Sequence, residues 1–503
     1  MHTLCANTTG AWNTAVGYAA MRSNTTGQCN TGLGYCALPA NTTGCYNTAS
    51  GYVALYSNTT GNFNTASGMR SLQCNTTGDC NTASGYAALR SNTIGCYNAA
   101  FGFQSLYSNT TGNSNTAVGQ ESLRSNTTGS DNTTVGHQSL YGNTTGCRNV
   151  ASGVRSLFSN TTGVNNTAHG YRSLYFNTTG GCNTASGYVS LYSNTTGTYN
   201  TAHGMFSLYS NTTGNYNIAV GAQALFSNTT GVSNTAVGLD SLRSNTTGVS
   251  NTAVGLNSLY FNTIGNYNTA VGLNSLYSNT TGVNNTAYGV NSLYCNTTGN
   301  SNTSVGYQSL FNNSTGVNNT TVGVNAGCNI TTQSDIIAIG CGAQTSLTDG
   351  HTVWGNASNN VCNCVYAAWA TVSDCRDKTD ISELPDTYGI SFIRKLKPVS
   401  YKSDHRDLYV DKCSYIYGDK DGSLKSDKCH YGFIAQDVKE SIDQLGIEFD
   451  GLGHDKEKDA YRLTYEELIA PLVKAVNQLV DRVEVLENDN ALLKDRINKL
   501  ENM

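Results

Sequence analysis

The sequence predicts a mainly β solenoid, followed by a small α+β region that closes in a coiled coil. Three observations carry this. A seventeen-residue unit, approximately N-T-A-V-G-x-x-S-L-x-S-N-T-T-G-x-x, runs nineteen times without an insertion. Charge is nearly absent until residue 373 and then becomes dense, although the whole chain carries a formal charge of only −5. The last segment alternates apolar steps of four and three. A fixed period without insertions means that each unit stacks on its neighbour, which is the signature of a repeat stack rather than of several globular domains.

Each phase of the unit has a physical reading. The step of seventeen from Leu4 to Leu310 meets leucine everywhere except Met21, and places one large apolar side chain per rung inside. The N-T-A-V-G stretch alternates small and larger residues as a short strand does. Its alanine (Ala15, Ala49, Ala117, Ala253) suits a crowded inner position, and the following residue varies from Val16 to Ser50, Phe101, His169 and Tyr288, so it faces outward or toward another chain. The glycines from Gly17 to Gly323 supply a corner at positive φ. The x-x-S-L segment reads as a second short strand or a helical turn, and N-T-T-G as turn chemistry.

Asparagine is unbroken from Asn7 to Asn313 and from Asn13 to Asn319. Because asparagine is a poor strand residue, its constancy predicts two in-register amide ladders in which each side chain bonds the rungs above and below. At a strand spacing of about 4.8 Å, nineteen rungs would span on the order of 90 Å. One leucine and one alanine per rung is little apolar area at about 25 cal/mol per Å², so the expectation is that other chains complete the burial, most simply in a three-fold bundle. The N-T-T and N-T-A sequons are read as structural asparagines. Leu4 and Asn7 already stand in register, so a capping element is expected from a segment or partner not in this sequence.

Composition excludes several function classes. Residues 1–372 hold no lysine, and the acids through residue 327 are Asp79, Glu121, Asp131 and Asp240. No basic stripe supports nucleic-acid binding. No secretory signal or transmembrane run is visible. The 17 cysteines lie at irregular phases, with Cys45, Cys96 and Cys147 three rungs apart, too far for a disulfide, and Cys362/Cys364 form only a C-x-C. They read as thiols of a reducing compartment, and neither a metal nor a cofactor is expected. Glycan cleavage needs two carboxylates at a set separation, which four scattered acids do not provide. The aromatic residues after the leucine (Tyr56, Tyr107, Tyr141, Phe158, Tyr192, Tyr260, Tyr277) read first as a packing ladder and second as a sugar-stacking surface. The A-V-G and A-S-G units resemble the β-roll heads of trimeric autotransporter adhesins and the repeats of viral tail fibres.

The repeat decays from about Cys328. Ile336–Gly340 keeps an echo of the strand, and Gly355–Val372 reads as strand segments of a neck. The domain division is therefore 1–327 for the repeat, 328–372 for the neck and 373–503 for the rest. Ser373-Asp374-Cys375-Arg376-Asp377-Lys378 opens that last region. Leu396-Lys397-Pro398-Val399-Ser400-Tyr401 follows, then Gly432-Phe433-Ile434-Ala435-Gln436-Asp437-Val438, then Tyr465, Leu468 and Ile469.

These four ordered motifs resemble the carboxyl-terminal intramolecular chaperone of endosialidases and phage tailspikes, an autoproteolytic serine peptidase family. Cys375, Asp377 and the insert near 403–428 depart from the family pattern. The resemblance implies self-cleavage between Val372 and Ser373. The chemistry is reasonable on the residues themselves: a serine attacks when a base removes its proton, and a lysine is that base when burial keeps it neutral. Ser373 is the nucleophile and Lys378 the base in this reading, while Asp374 and Arg376 orient the turn.

Leu472, Val476, Leu479, Val483, Leu486, Asn490, Leu493, Ile497 and Leu500 form a heptad seam over about 468–500. Val or Ile at a, Leu at d and one Asn at a favour two strands on peptide rules, whereas the resemblance implies three. The expected protein is a homotrimeric tail-fibre or tailspike-like structural protein of a virus. It would assemble in host cytoplasm, end on the virion surface and meet a host glycan or receptor without inserting into a membrane. The alternative is a cell-surface or membrane-associated trimeric adhesin matured by the same chaperone.

Overall fold

The computed structural model describes residues 2–344, 349–356, 359–362, 382–402, 429–455 and 460–502. The chain divides into two units, Met1–Ala368 and Trp369–Met503.

In the first unit, twenty three-residue strands from β1 (Thr14–Val16) to β20 (Ile337–Ile339) stack in parallel. The register follows the sequence period: Thr14 lies opposite Thr31, and Thr303 opposite Thr320. The stack continues past residue 327, where the strict repeat ends, because Thr320 still pairs with Ile337. β21 (Thr352–Asn356) adds one more parallel strand at a shorter step, and β22 (Asn359–Cys362) turns back antiparallel along it. This is a parallel β-solenoid.

The interior closes within one chain, against the expectation that other chains would have to complete it. From the second rung onward the leucine and alanine columns are fully buried, and so are both asparagine columns and the small residue, serine or alanine, before each leucine. The apolar-area argument fails because hydrogen bonds fill much of the interior. Asn166 shows the pattern. Its Nδ2 donates to the Gly180 carbonyl at 2.8 Å and to Asn149 Oδ1 at 3.2 Å. Its Oδ1 accepts from the Asn183 backbone N–H at 3.0 Å and from Asn183 Nδ2 at 3.2 Å. In the other ladder, Asn160 Nδ2 donates to Asn143 Oδ1 at 2.9 Å and to the Gly163 carbonyl at 3.1 Å. Both expected ladders are present, and an interior whose polar groups are nearly all partnered, with Asn313 Oδ1 and Ser275 Oγ as exceptions, carries little desolvation penalty from orphaned groups. The sequon asparagines of these columns are buried and bonded, so they are structural.

Departures from alanine keep to the same rule. Where Thr134, Ser304 and Thr321 replace it, the hydroxyl finds the serine of an adjoining segment: Ser122 at 2.6 Å, Ser292 at 2.8 Å and Ser309 at 2.7 Å.

The corner glycines have φ between 120° and 145°, and a Cβ on Gly170 would lie 2.5 Å from the Gly187 carbonyl oxygen. The x-x-S-L segment is neither strand nor helix. It is a run of turns in which the leucine itself is left-handed, as in Leu106 at φ 49° and Gln104 at φ 52°. That conformation costs about 1–2 kcal/mol per non-glycine residue. Burial of the leucine and its N–H donation to the next rung, at 2.9 Å for Leu106 to Ser122, hold it there.

The second unit is a small α/β assembly. A 3-10 turn (Asp386–Tyr388) leads into the short helix α1 (Ile390–Ile393). β23 (Pro398–Lys402) pairs antiparallel with β24 (Cys429–Phe433), which runs into α2 (Ala435–Leu445). β25 (Leu452–Asp455) and β26 (Ala460–Leu463) make a hairpin. A second 3-10 turn (Tyr465–Leu468) then leads into α3 (Ile469–Glu501). Pro471 falls in the first turn of α3, where a helix has no N–H to lose. The buried core is Phe392, Val438 and Ile442, with Leu396, Phe433, Leu463 and Leu468 packed against it.

Candidate functional site

The expected cleavage pair Val372–Ser373 and the residues Asp374, Arg376 and Lys378 lie outside the described residues. The three remaining motifs are described, and they converge. Leu396 and Pro398 lead into β23, Gly432 and Phe433 end β24, and Tyr465, Leu468 and Ile469 open α3. All of these but Gly432, with Ile393 and Leu472, line an apolar groove of about 310 Å³.

The link between them is the Tyr465 hydroxyl. It accepts a hydrogen bond from the Phe433 backbone N–H at 3.2 Å and sits over Gly432, where a Cβ would lie 2.3 Å from it. Glycine is required there by close approach, not by φ. The 434–438 segment is a strand-to-helix transition. Ile434 is the extended residue before α2, Ala435, Gln436 and Asp437 form the first turn, and Val438 turns into the core at 1% exposure. Asp437 sits where a helix N-terminus favours a negative charge. This motif is therefore structural.

Two side chains with no sequence signal anchor α3. Gln478 Oε1 accepts from the Ile390 N–H at 2.8 Å, and its Nε2 donates to the Asp386 carbonyl at 3.2 Å. Lys474 Nζ pairs with the Asp386 carboxylate at 3.0 Å. The hydrogen bond from Lys474, helped by Gln478 and by the lysine charge, holds the Asp386 carboxyl below its ordinary range. A heptad count alone misses Gln478 and Lys474, because each looks like any solvated position of a coiled coil.

Beyond this anchor no described residue covers the heptad seam of α3. The heptad residues are about half exposed or more, from Val476 at 49% to Leu500 at 73%. Val473 and Val480 stand beside the seam and widen it, at 53% and 50%. Aliphatic side chains exposed in this periodic order are what like helices bury against one another.

On the solenoid, the aromatic column is a packing ladder. Tyr141, Phe158, Tyr175, Tyr192, Tyr209 and Phe226 stack at 5.1–5.3 Å. Tyr260, Tyr277, Tyr294 and Phe311 continue it at 5.0–5.3 Å. Guanidinium groups take the places where the aromatics lapse. Arg124 lies between Tyr107 and Tyr141, and Arg243 between Phe226 and Tyr260, each 5.5–5.6 Å from the ring centres. Within these runs both faces of each interior ring are taken by its neighbours, so those rings are packed as a ladder, whereas Tyr56, earlier in the column, is 44% exposed.

The cysteines whose side chains are described are free thiols. Burial pushes the Cys295 thiol up, and burial with the adjacent Asp79 does the same at Cys80, which is the opposite of an activated nucleophile. Among the described residues no cluster of His, Cys, Asp or Glu is arranged to hold a metal, and no helix is long and apolar enough to cross a membrane.

Comparison with curated proteins finds no match to the chain. Residues 373–447, which follow the twenty-strand solenoid stack in the chain, match the model of the family described as chaperone of endosialidase.

Proposed function

We propose that residues 373–503 are a self-cleaving chaperone that gathers three copies of the chain through α3, seeds the solenoid in register and is then cut away. The product is a tail-fibre or tailspike-like structural protein, carried on a virion surface for host attachment. One observation carries the reading: the family match begins at Ser373, the residue that chemistry requires to be the new N-terminus.

In the cleavage step, the Ser373 hydroxyl oxygen forms a bond to the carbonyl carbon of Val372 while Lys378 takes the hydroxyl proton. The bond from that carbon to the Ser373 nitrogen breaks, and the proton passes to the departing amine. Water then hydrolyses the resulting ester, releasing a carboxylate at Val372 and restoring the serine. Asp374 and Arg376 hold the turn in reach. The peptide bond is spent once, so the activity is a single turnover on the chain itself.

A need for such a chaperone follows from the solenoid. Nearly all its rung contacts join residue i to a partner about seventeen away, and the rungs are nearly alike, so a slipped register satisfies almost the same bonds. A seed that fixes the last rungs removes the ambiguity. Removing the seed afterwards leaves a stack that is kinetically stable.

The test is N-terminal sequencing and intact mass of the expressed full chain. Wild type yields a species that begins at Ser373, and both Ser373→Ala and Lys378→Ala remain whole. An intact wild-type chain, or unchanged cleavage in Ser373→Ala, overturns the proposal.

A further inference from the structure

We infer that one face of the solenoid, over its last rungs, is a self-association surface that takes a second copy of the same face. This rests on the proposed gathering of copies through α3, and its test separates the two.

Two columns flank the glycine corner, one on each side. The column that ends each strand runs from Val237 to Val322 in steps of seventeen, with valine throughout except Tyr288. The column after the glycine runs from Leu239 to Val324 and holds only Leu, Val and Tyr307. These residues point outward: Leu239 is 47% exposed, Tyr288 56% and Val324 44%. The same two columns are different earlier in the chain. Ser50, Ser67, Ser84, Ser152 and Ser186 interrupt the first, and Gln120 and His137 the second. Earlier the second column stays largely aromatic, as at Tyr18, Tyr35, Tyr52 and Phe103, but beside a broken first column, so the long run in which both columns are apolar falls in the rungs that precede the C-terminal region in the chain.

Its surroundings are as unusual as its content. Residues 244–334 contain no Asp, Glu, Lys, Arg or His. A face of this length with neither charge nor polar interruption exceeds the few hundred Å² of contiguous apolar surface that a monomer normally exposes. Summed over the two columns, the exposed side chains offer on the order of 1,000 Å², which matches or exceeds the roughly 800 Å² per partner of a stable interface.

Three considerations select a second copy as the occupant. The ribbon is mostly aliphatic and flat, which suits sheet-face packing and gives a polar glycan almost nothing to bond. It has no charge for a charged partner to complement. The same chain carries α3, whose seam demands like helices. Once α3 joins copies, their ribbons meet at a raised effective concentration, and a face too weak to associate alone becomes occupied.

The experiment places a photo-cross-linking amino acid at Leu273 in the ribbon or at Thr281, exposed in the neighbouring N-T-T-G turn, in the full chain kept whole by Ser373→Ala. Sedimentation velocity reports the oligomer in parallel. The expected result is an oligomer with chain-to-chain adducts from position 273 onto ribbon residues, few from 281, and loss of the adduct when Leu256→Glu and Val290→Glu are added. An oligomer with no adduct from 273, or equal adducts from both positions, overturns the ribbon and leaves the helix reading standing. A full chain that sediments as a monomer overturns both. A chain with Leu479→Glu and Leu486→Glu that stays oligomeric and still cross-links from 273 supports the ribbon and removes α3 as the gathering element.

Discussion

The solenoid and the C-terminal region solve the burial problem in opposite ways. The solenoid has only one leucine and one small residue per rung, yet both are fully enclosed, because amide ladders and backbone bonds fill what apolar area does not. The C-terminal region has a conventional apolar cluster around Phe392 but leaves a 33-residue helix with its heptad seam uncovered. The first is complete along its length and ambiguous in register. The second is fixed in register by unlike contacts, such as Tyr465 on Phe433 and Gln478 on Ile390, and leaves its heptad seam exposed. On the proposed function, joining the two would let the unambiguous part set the frame for the repetitive one.

The largest effect should come from breaking an amide ladder. Asn166→Leu removes two donated bonds and two accepted ones from a site with no access to water. It leaves the Asn183 N–H buried without its partner, while the Gly180 carbonyl keeps the bond from Asn177 Nδ2. At about 1–3 kcal/mol for an orphaned group, with the lost ladder bonds added, the loss should be about 2–4 kcal/mol. In a repeat stack that cost falls on the nearest rungs rather than on the whole chain. Hydrogen exchange should show protection lost around residues 149–183 while α2 and the start of α3 keep theirs. Equal loss in both regions would mean that the two are one cooperative unit, and the contrast drawn above would fail.

Much of the solenoid was legible in the sequence because its interior repeats with the chain. Asn7 to Asn313 had to be a ladder, Gly17 a corner and Ala15 an inner position. Two things were not legible. Apolar area alone suggested an unfinished core, because the hydrogen bonds that close it have no hydropathy value. The left-handed leucines were hidden as well, since no propensity predicts Leu106 at positive φ. The ring column could be followed only in part, because Arg124 and Arg243 continue it as planar cations and not as aromatics. In the C-terminal region the motif residues were readable singly. Their meeting was not, for Gly432 and Tyr465 are far apart in the chain and touch only through a hydroxyl.

The ring column gives a smaller test. Tyr192 stacks between Tyr175 and Tyr209 at 5.3 Å on each side. Because the column is half-exposed and lies outside the closed interior, Tyr192→Ala should cost about 1–2 kcal/mol, the stacking contribution with some lost area. Tyr192→Arg should recover part of it, as Arg124 and Arg243 already stand between rings. Thermal unfolding of the three chains checks the order. An arginine variant no better than alanine would mean that the column is not held by stacked planes.

The smallest effect lies at the ion pair that ties α3 to its own domain. Lys474 holds the Asp386 carboxyl below its ordinary range, with Gln478 assisting and partial burial opposing. A carboxyl with a lowered folded pKa contributes stability that is fully present above its unfolded value of about 3.9 and is lost as pH falls through the folded value. The window is therefore below about pH 4, and neutral solution should show the full contribution. Asp386 is largely exposed, with a side chain at 83%, so solvent screens the pair and its contribution is modest. Asp386→Asn should lower protection in the first turns of α3 at pH 6 and converge with wild type near pH 2. Added salt at pH 6 should narrow the difference, because it weakens an exposed pair. The solenoid rungs should not respond in either chain. A variant that matches wild type at pH 6 would mean that the Asp386 carbonyl and Gln478, rather than the charge, hold the helix in place.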